Sequence, residues 1–160
     1  MYRIGQGYDA HRFESGDGVT LGGVRIACDH GIVAHSDGDV LLHALCDALL
    51  GALALGDIGQ HFPDTDERYR GADSRTLLLA VMDKVRASGY GIVNVDTTVL
   101  AQVPRLAPHI TAMREAMAAV LGCMVGDVSV KATTTERMGF VGREEGIAAY
   151  ATVLLMRHDR

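Results

Sequence analysis

Two periods of apolar residues organise the chain. Residues 2–13 and 19–27 have the composition of strands and are separated by the turn-rich run Glu14-Ser15-Gly16-Asp17-Gly18, which predicts a hairpin with a longer loop. Helical spacing follows. Ser36 is placed to cap a helix running to about residue 52, with Asp37 and Asp39 in its first turn, where negative charge complements the helix dipole. Residues 56–72 are polar and glycine-rich, which predicts a long surface loop, and loops of that length in a compact domain usually carry function. Ser74 is placed to cap a second helix, in which Leu77, Leu78, Val81, Met82 and Val85 repeat at helical spacing until Gly89. Residues 92–102 read as a strand rich in Val and Thr. Pro104 opens a third helix, with Pro108 in or near its first turn, and Ile110, Met113, Met117, Val120 and Leu121 form its apolar face before Gly122. Residues 128–135 and 146–157 complete the set as strands. With no linker or internal repeat, this order predicts one α+β domain over 1–160, a mixed sheet with helices on one face. The other face of such a sheet also needs burial, which favours oligomerisation.

Composition narrows the picture. A length of 160 residues suffices for one filled core and is short for two domains, and with no Trp and 5% aromatic residues that core must be aliphatic. A formal net charge of −5 excludes a general attraction to nucleic acid or to an anionic membrane surface. An anionic ligand must therefore be held by local devices: metal ions, backbone amides or single Arg and Lys residues. Cys28, Cys46 and Cys123 are odd in number and widely spaced, the pattern of reduced, buried thiols. The first residues lack a charged-then-apolar signal, and the longest apolar run, 77–82, is far too short to span a bilayer. A cytoplasmic protein is expected.

Candidate chemistry begins in the first strand. At a period of two, Gly5, Gly7, Asp9, His11 and Phe13 point to one face, so Asp9 and His11 can grip one ion, while the glycines allow a ligand or another backbone to approach closely. His43 follows two turns into the first helix, four residues from both Asp39 and Asp47, either of which could orient its ring. Two His and one carboxylate make a three-ligand zinc site with an open position. His35 stands before the helix cap, where a phosphate is favoured. Near the C-terminus, Thr133, Thr134 and Thr135 precede Glu136, and Arg143 follows a glycine. Those hydroxyls and that Arg suit a diphosphate, and Glu136 suits a hard cation such as Mg2+ bridging its oxygens, although composition alone favours a Thr-rich strand end with solvated charges.

These segments together resemble the cyclodiphosphate synthase family of the non-mevalonate isoprenoid pathway. The resemblance rests on Gly5-x-Gly7-x-Asp9-x-His11-x-Phe13, Leu21-Gly22-Gly23-Val24, Ala34-His35-Ser36-Asp37-Gly38-Asp39-Val40, Gly56-Asp57-Ile58-Gly59, Phe62-Pro63-Asp64-Thr65-Asp66 and Thr133-Thr134-Thr135-Glu136, in order along nearly the whole chain. It implies a substrate with a cytidine diphosphate end and a methylerythritol 2-phosphate end, whose 2-phosphate attacks the β-phosphorus and expels CMP. It further implies Zn2+ on Asp9, His11 and His43, and Mg2+ or Mn2+ on Glu136 with the diphosphate. His35 and Thr134 match the transition-state stabilisers. Ser36, Asp57, Ile58, Gly59, Phe62, Pro63, Asp64, Thr65 and Asp66 match the methylerythritol side of the substrate site. Ala101, Pro104, Arg105, Leu106, Ala107, Ala132, Thr133 and Thr135 match the cytidine side, reached in the family from a neighbouring subunit, which implies a homotrimer. Arg105 stands where Lys is commoner, which keeps the charge and changes its donor geometry. Tyr8 stands where Phe is commoner, and with Phe140 and Arg143 it matches the lining of a central cavity that can hold an isoprenoid diphosphate.

Two rival readings use the same residues. A metal-dependent phosphoesterase would activate water instead of an internal phosphate and release a free monophosphate. A regulatory trimer sensing isoprenoid diphosphates would not require Thr134 and His35 beside two cation sites.

Overall fold

The computed structural model describes residues 1–158. Its long strands are β1 (Tyr2–Ser15), β5 (Tyr90–Leu100) and β7 (Gly146–Arg157); the short ones are β2 (Val19–Leu21), β3 (Val24–Ile26), β4 (His30–Ile32) and β6 (Val128–Thr133). The helices are α1 (Val40–Ala52), α2 (Ile58–His61), α3 (Ser74–Ala87), α4 (Ile110–Leu121) and α5 (Gly139–Gly142). Five strands make one sheet in the order β4-β1-β7-β5-β6, antiparallel except for the parallel β5–β6 pair. The expected α+β domain with a mixed sheet is therefore present.

The hairpin expected between residues 2–13 and 19–27 does not form. Residues 19–26 fold on themselves as the β2–β3 pair, because Gly22 and Gly23 both take positive φ, of 56° and 76°, and turn the chain at once. The neighbours of β1 are instead β4, on one side, and β7, on the other. The expected loop at 56–72 contains α2 and a 3₁₀ turn at Glu67–Tyr69. The third helix starts at Ile110 after a 3₁₀ turn, Ala107–His109, so Pro104 precedes it and Pro108 lies in that turn.

Both expected serine caps move, by three residues at α1 and by one at α3. Asp39 caps α1, and Asp73 caps α3. Asp39 is fully buried, and its carboxylate accepts from the Leu42, Gly22 and Gly23 amides at 3.0, 2.9 and 2.7 Å. It thus ties the start of α1 to the β2–β3 turn.

The apposition of α1 and β1 positions the site. A Cβ on Gly5 would lie 1.9 Å from the Ala48 carbonyl oxygen, and one on Gly7 1.9 Å from that of Ala44. The two glycines, facing Ala44, Ala48 and Ala52, let the helix rest on the bare strand backbone. Almost all of α1 is buried, consistent with its nearly continuous apolar sequence. Ala149, Ala151, Val153 and Leu155 of β7 and Val95 and Val99 of β5 are buried in the same core, beneath α1, α3 and α4. The opposite face of β1 and β7 is open: Tyr2, Ile4, Tyr8, Tyr150 and Met156 are all exposed. The three cysteines are free thiols, as expected, but only Cys46 is fully buried; Cys28 and Cys123 are half-buried.

Candidate active site

The alternation of β1 holds as predicted. Gly5 and Gly7 are buried, Asp9 and His11 follow on the same face, and the intervening Gln6, Tyr8 and Ala10 are exposed. His43 meets the pair from α1, one residue before the alanine that rests on Gly7. Close strand–helix contact thus joins ligands that are 34 residues apart, with Asp9 Oδ2 3.2 Å from His43 Nδ1 and 3.1 Å from His11 Nδ1. One ligand atom from each of the three residues lies within 4.8 Å of the others.

Asp9 and His11 shift each other's protonation. Burial would raise the Asp9 carboxyl, yet the adjoining His11 and His43 rings hold it below the ordinary carboxylate range. Burial would lower His11, but Asp9 outweighs it and raises the imidazole above its usual value. His11 Nδ1 is buried and, though close to Asp9, is not aligned for a hydrogen bond with any protein atom. An orphaned buried nitrogen converging with a carboxylate oxygen and a second imidazole nitrogen fits a divalent ion with mixed N and O ligands.

Neither Asp39 nor Asp47 orients His43. Asp39 is occupied by three backbone amides, and Asp47 accepts from the Ile58 amide at 2.7 Å, holding the start of α2 against α1. His43 Nε2 instead lies 2.9 Å from Ser74 Oγ and 3.2 Å from Ser36 Oγ. Ser74, read from the sequence only as a helix cap, reaches His43 from the start of α3, a contact that sequence spacing does not signal.

A hollow of about 450 Å³ opens beside the three ligands. Its walls include His35, Ser36, Ile58, Gly59, Phe62, Pro63 and Asp64, all expected, together with Ala34, Tyr69 and Leu77, which were not. Tyr69 had no signal beyond its place in the loop; its ring packs edge-on to Phe62 at 5.4 Å between centroids. Because α1 begins only at Val40, His35 is not at the helix terminus. Its Nε2 is 3.1 Å from the Asp66 carbonyl, an acceptor only, so this nitrogen carries a proton and Nδ1 is the one left available. Asp57 and Asp66 act as caps, of α2 and of the 3₁₀ turn at Glu67–Tyr69, and neither they nor Thr65 line the hollow.

A second hollow of about 240 Å³ is lined by Ala101, Gln102, Pro104, Arg105, Leu106, Ala107, Ala132, Thr133 and Thr134. It shares no residue with the first. Thr135 and Glu136 follow it on the chain; Glu136 is exposed and stands outside the Asp9–His11–His43 group. Phe140 borders a third depression with Ala10 and His11, and Arg143 is paired with Glu145 at 3.1 Å.

A mixed-sheet α+β domain bearing an Asp–His–His group that could hold a metal ion, open to an adjoining hollow, has the make-up of a metal-dependent enzyme. The chain belongs to the YgbB family, whose model matches residues 2–156. A 2-C-methyl-D-erythritol 2,4-cyclodiphosphate synthase of Pseudomonas aeruginosa (strain UCBPP-PA14) is 66% identical over 154 residues, covering 96% of this chain and 98% of its own. The synthase of Ectopseudomonas mendocina (strain ymp) is 64% identical over 155 residues, 97% of this chain and 99% of its own. Among solved structures, an IspF–CDP complex from Plasmodium falciparum superposes with a TM-score of 0.87 at 35% identity, covering 99% of this chain and 97% of that one. The bifunctional IspDF of Campylobacter jejuni gives a TM-score of 0.95 at 45% identity over 99% of this chain, which spans 43% of that longer protein. No described helix is long and apolar enough to cross a membrane.

Proposed function

We propose that this chain is a 2-C-methyl-D-erythritol 2,4-cyclodiphosphate synthase, a CMP-releasing phosphorus–oxygen lyase of isoprenoid biosynthesis acting in the cytoplasm. The observation that carries the reading is the convergence of Asp9, His11 and His43 in the wall of a hollow of about 450 Å³, in a chain that matches named synthases along nearly its whole length. In the reaction, an oxygen of the substrate's 2-phosphate forms a bond to the β-phosphorus. The bond from that phosphorus to the oxygen bridging toward the α-phosphorus breaks, and its electron pair leaves with CMP. No protein nucleophile is required.

Asp9, His11 and His43 would hold Zn2+ and Glu136 would hold Mg2+ or Mn2+, and the chemistry such ions would supply is neutralisation of phosphate charge that otherwise keeps the two anionic ends apart. The chain's own residues do the positioning. The wall formed by Ser36, Ile58, Gly59, Phe62, Pro63 and Asp64 binds the methylerythritol hydroxyls, with Asp57 and Asp66 holding that wall in place as caps. The 101–107 and 132–135 segments bind the cytidine end, with Arg105 near its phosphates. His35, held from behind by the Asp66 carbonyl, and Thr134 act on charge that develops on the phosphoryl oxygens.

The same reading requires a homotrimer. The two hollows share no lining residue on one chain, and in the proposed trimer the second hollow of a neighbouring subunit stands beside the first to complete one site. The open, apolar β1–β7 face offers the surface for that assembly, with Tyr8 and Tyr150 paired across the strands at 4.9 Å. The cavity it would enclose, with Tyr8, Phe140 and Arg143 near it, corresponds to the central cavity that the family resemblance implies.

The deciding experiment incubates purified protein with cytidylated methylerythritol 2-phosphate, with and without chelator. Chelator-sensitive release of CMP with a cyclic diphosphate supports the proposal. A free monophosphate would instead identify a phosphoesterase, and no turnover at all would leave only the binding reading.

A further inference from the structure

Behind His43 lies a chain of polar groups that the reaction above does not use. Ser74 is fully buried at the first residue of α3, with Oγ 2.9 Å from His43 Nε2. Its hydroxyl donates to Asp37 Oδ1 at 2.5 Å, and its amide donates to Asp37 Oδ2 at 3.0 Å. Asp37 Oδ1 also accepts from the Asp39 amide at 3.1 Å. Every neighbour that reaches the Asp37 carboxylate is therefore a donor, and the carboxylate can only accept.

The protons in this chain can be counted. A serine hydroxyl has one, and here it is committed to Asp37. Ser74 Oγ can then meet His43 only as an acceptor, so the imidazole must present Nε2–H to it. In the neutral ring this leaves the Nδ1 lone pair free, facing Asp9 and His11. The opposing influence is Asp9 itself: a carboxylate 3.2 Å from Nδ1 draws the proton to that nitrogen, where it would block a metal. Ser36 Oγ, 3.2 Å from Nε2, accepts from the Gly38 amide and keeps its own proton free, so it does not settle the tautomer.

We propose that Asp37 and Ser74 are positioning residues that act through His43, holding it as the Nε2–H tautomer so that Nδ1 stays open to the metal. The relay converts the docking of α3 against α1 into metal affinity, since Asp37 and Ser74 are 37 residues apart and meet only when those helices pack. It rests on the reading that Asp9, His11 and His43 hold a metal.

Three measurements on the full-length protein separate the two ideas. Zinc stoichiometry of the wild type tests the metal reading alone. Long-range 1H–15N correlation of the histidine rings in chelator-stripped wild type, at a pH where His43 is neutral, tests the relay without any variant. The expected result is Nε2–H for His43. In Ser74→Ala, Asp9 should pull the proton across to Nδ1, and the zinc Kd, measured by competition with a chromophoric chelator, should rise roughly 10- to 100-fold. Should Ser74→Ala fail to fold, the wild-type tautomer still decides. Finding Nδ1–H in the metal-free wild type would overturn the proposal, as would a folded Ser74→Ala whose zinc affinity stays within about twofold of wild type.

Discussion

Replacing Gly7 by alanine tests whether strand–helix contact is what assembles the metal-binding group. The added Cβ would lie 1.9 Å from the Ala44 carbonyl oxygen and 2.8 Å from the Ala48 nitrogen, both backbone atoms that cannot rotate aside. Restoring ordinary contact requires β1 and α1 to part locally by about 1.5 Å. Asp9 is two residues along β1 from Gly7, and His43 is the neighbour of Ala44, so the movement opens the gap between Asp9 Oδ2 and His43 Nδ1, now 3.2 Å. Metal–ligand distances tolerate errors of only about 0.2 Å, so the site should lose zinc. Overpacking of this kind costs roughly 1–3 kcal/mol, which for a chain of this size lowers Tm by about 2–4 °C per kcal/mol, and by up to about 12 °C at the upper end. Scanning calorimetry at matched protomer concentration and elemental analysis for zinc provide the two readings. Gly126→Ala is the control, because nothing lies within 4 Å of an added Cβ there. A Gly7→Ala protein with full zinc and a Tm within about 2 °C of wild type would refute the argument.

His43→Ala removes one of three ligands, so zinc content and CMP release should fall together; full zinc with normal turnover would mean the ligand assignment is wrong. Glu136→Gln should spare zinc, because Glu136 stands outside the Asp9–His11–His43 group, yet raise the Mg2+ concentration needed for activity, since a neutral amide oxygen is a poorer ligand for a hard cation. Lost zinc, or an unchanged Mg2+ dependence, would contradict that. Light scattering should report about three chains per particle, and a stable, fully active monomer would rule out the shared site.

Much of the architecture is local and was legible as such. The 3.6-residue repeat from Leu77 to Val85 and that from Ile110 to Leu121 mark α3 and α4 because each apolar face is defined by neighbouring turns of its own helix. Asp9 and His11 fall on one face of β1 because strand alternation is a property of the backbone. Gly5 and Gly7 likewise signalled a close approach, although not that Ala44 and Ala48 would supply it.

Where the sequence misled, a second element had intervened. Ser36 and Ser74 looked like helix caps because serine often is one, but packing gave those ends to Asp39 and Asp73 and turned both serines toward His43. Asp39 and Asp47 have helical spacing to His43, yet Gly22, Gly23 and Ile58 claim their carboxylates from outside the helix. Strand β1 has a plausible hairpin partner in the next segment, but β7 offers a long antiparallel register that two three-residue strands cannot match. Periodicity, turn chemistry and the paired motif in β1 were therefore set by the sequence alone, since they depend on residues a few positions apart. The joining of Asp9 to His43, and of His43 to Ser74 and Asp37, was decided by tertiary packing, because residues 31 to 37 positions apart become neighbours only when the burial of α1 and α3 brings them together.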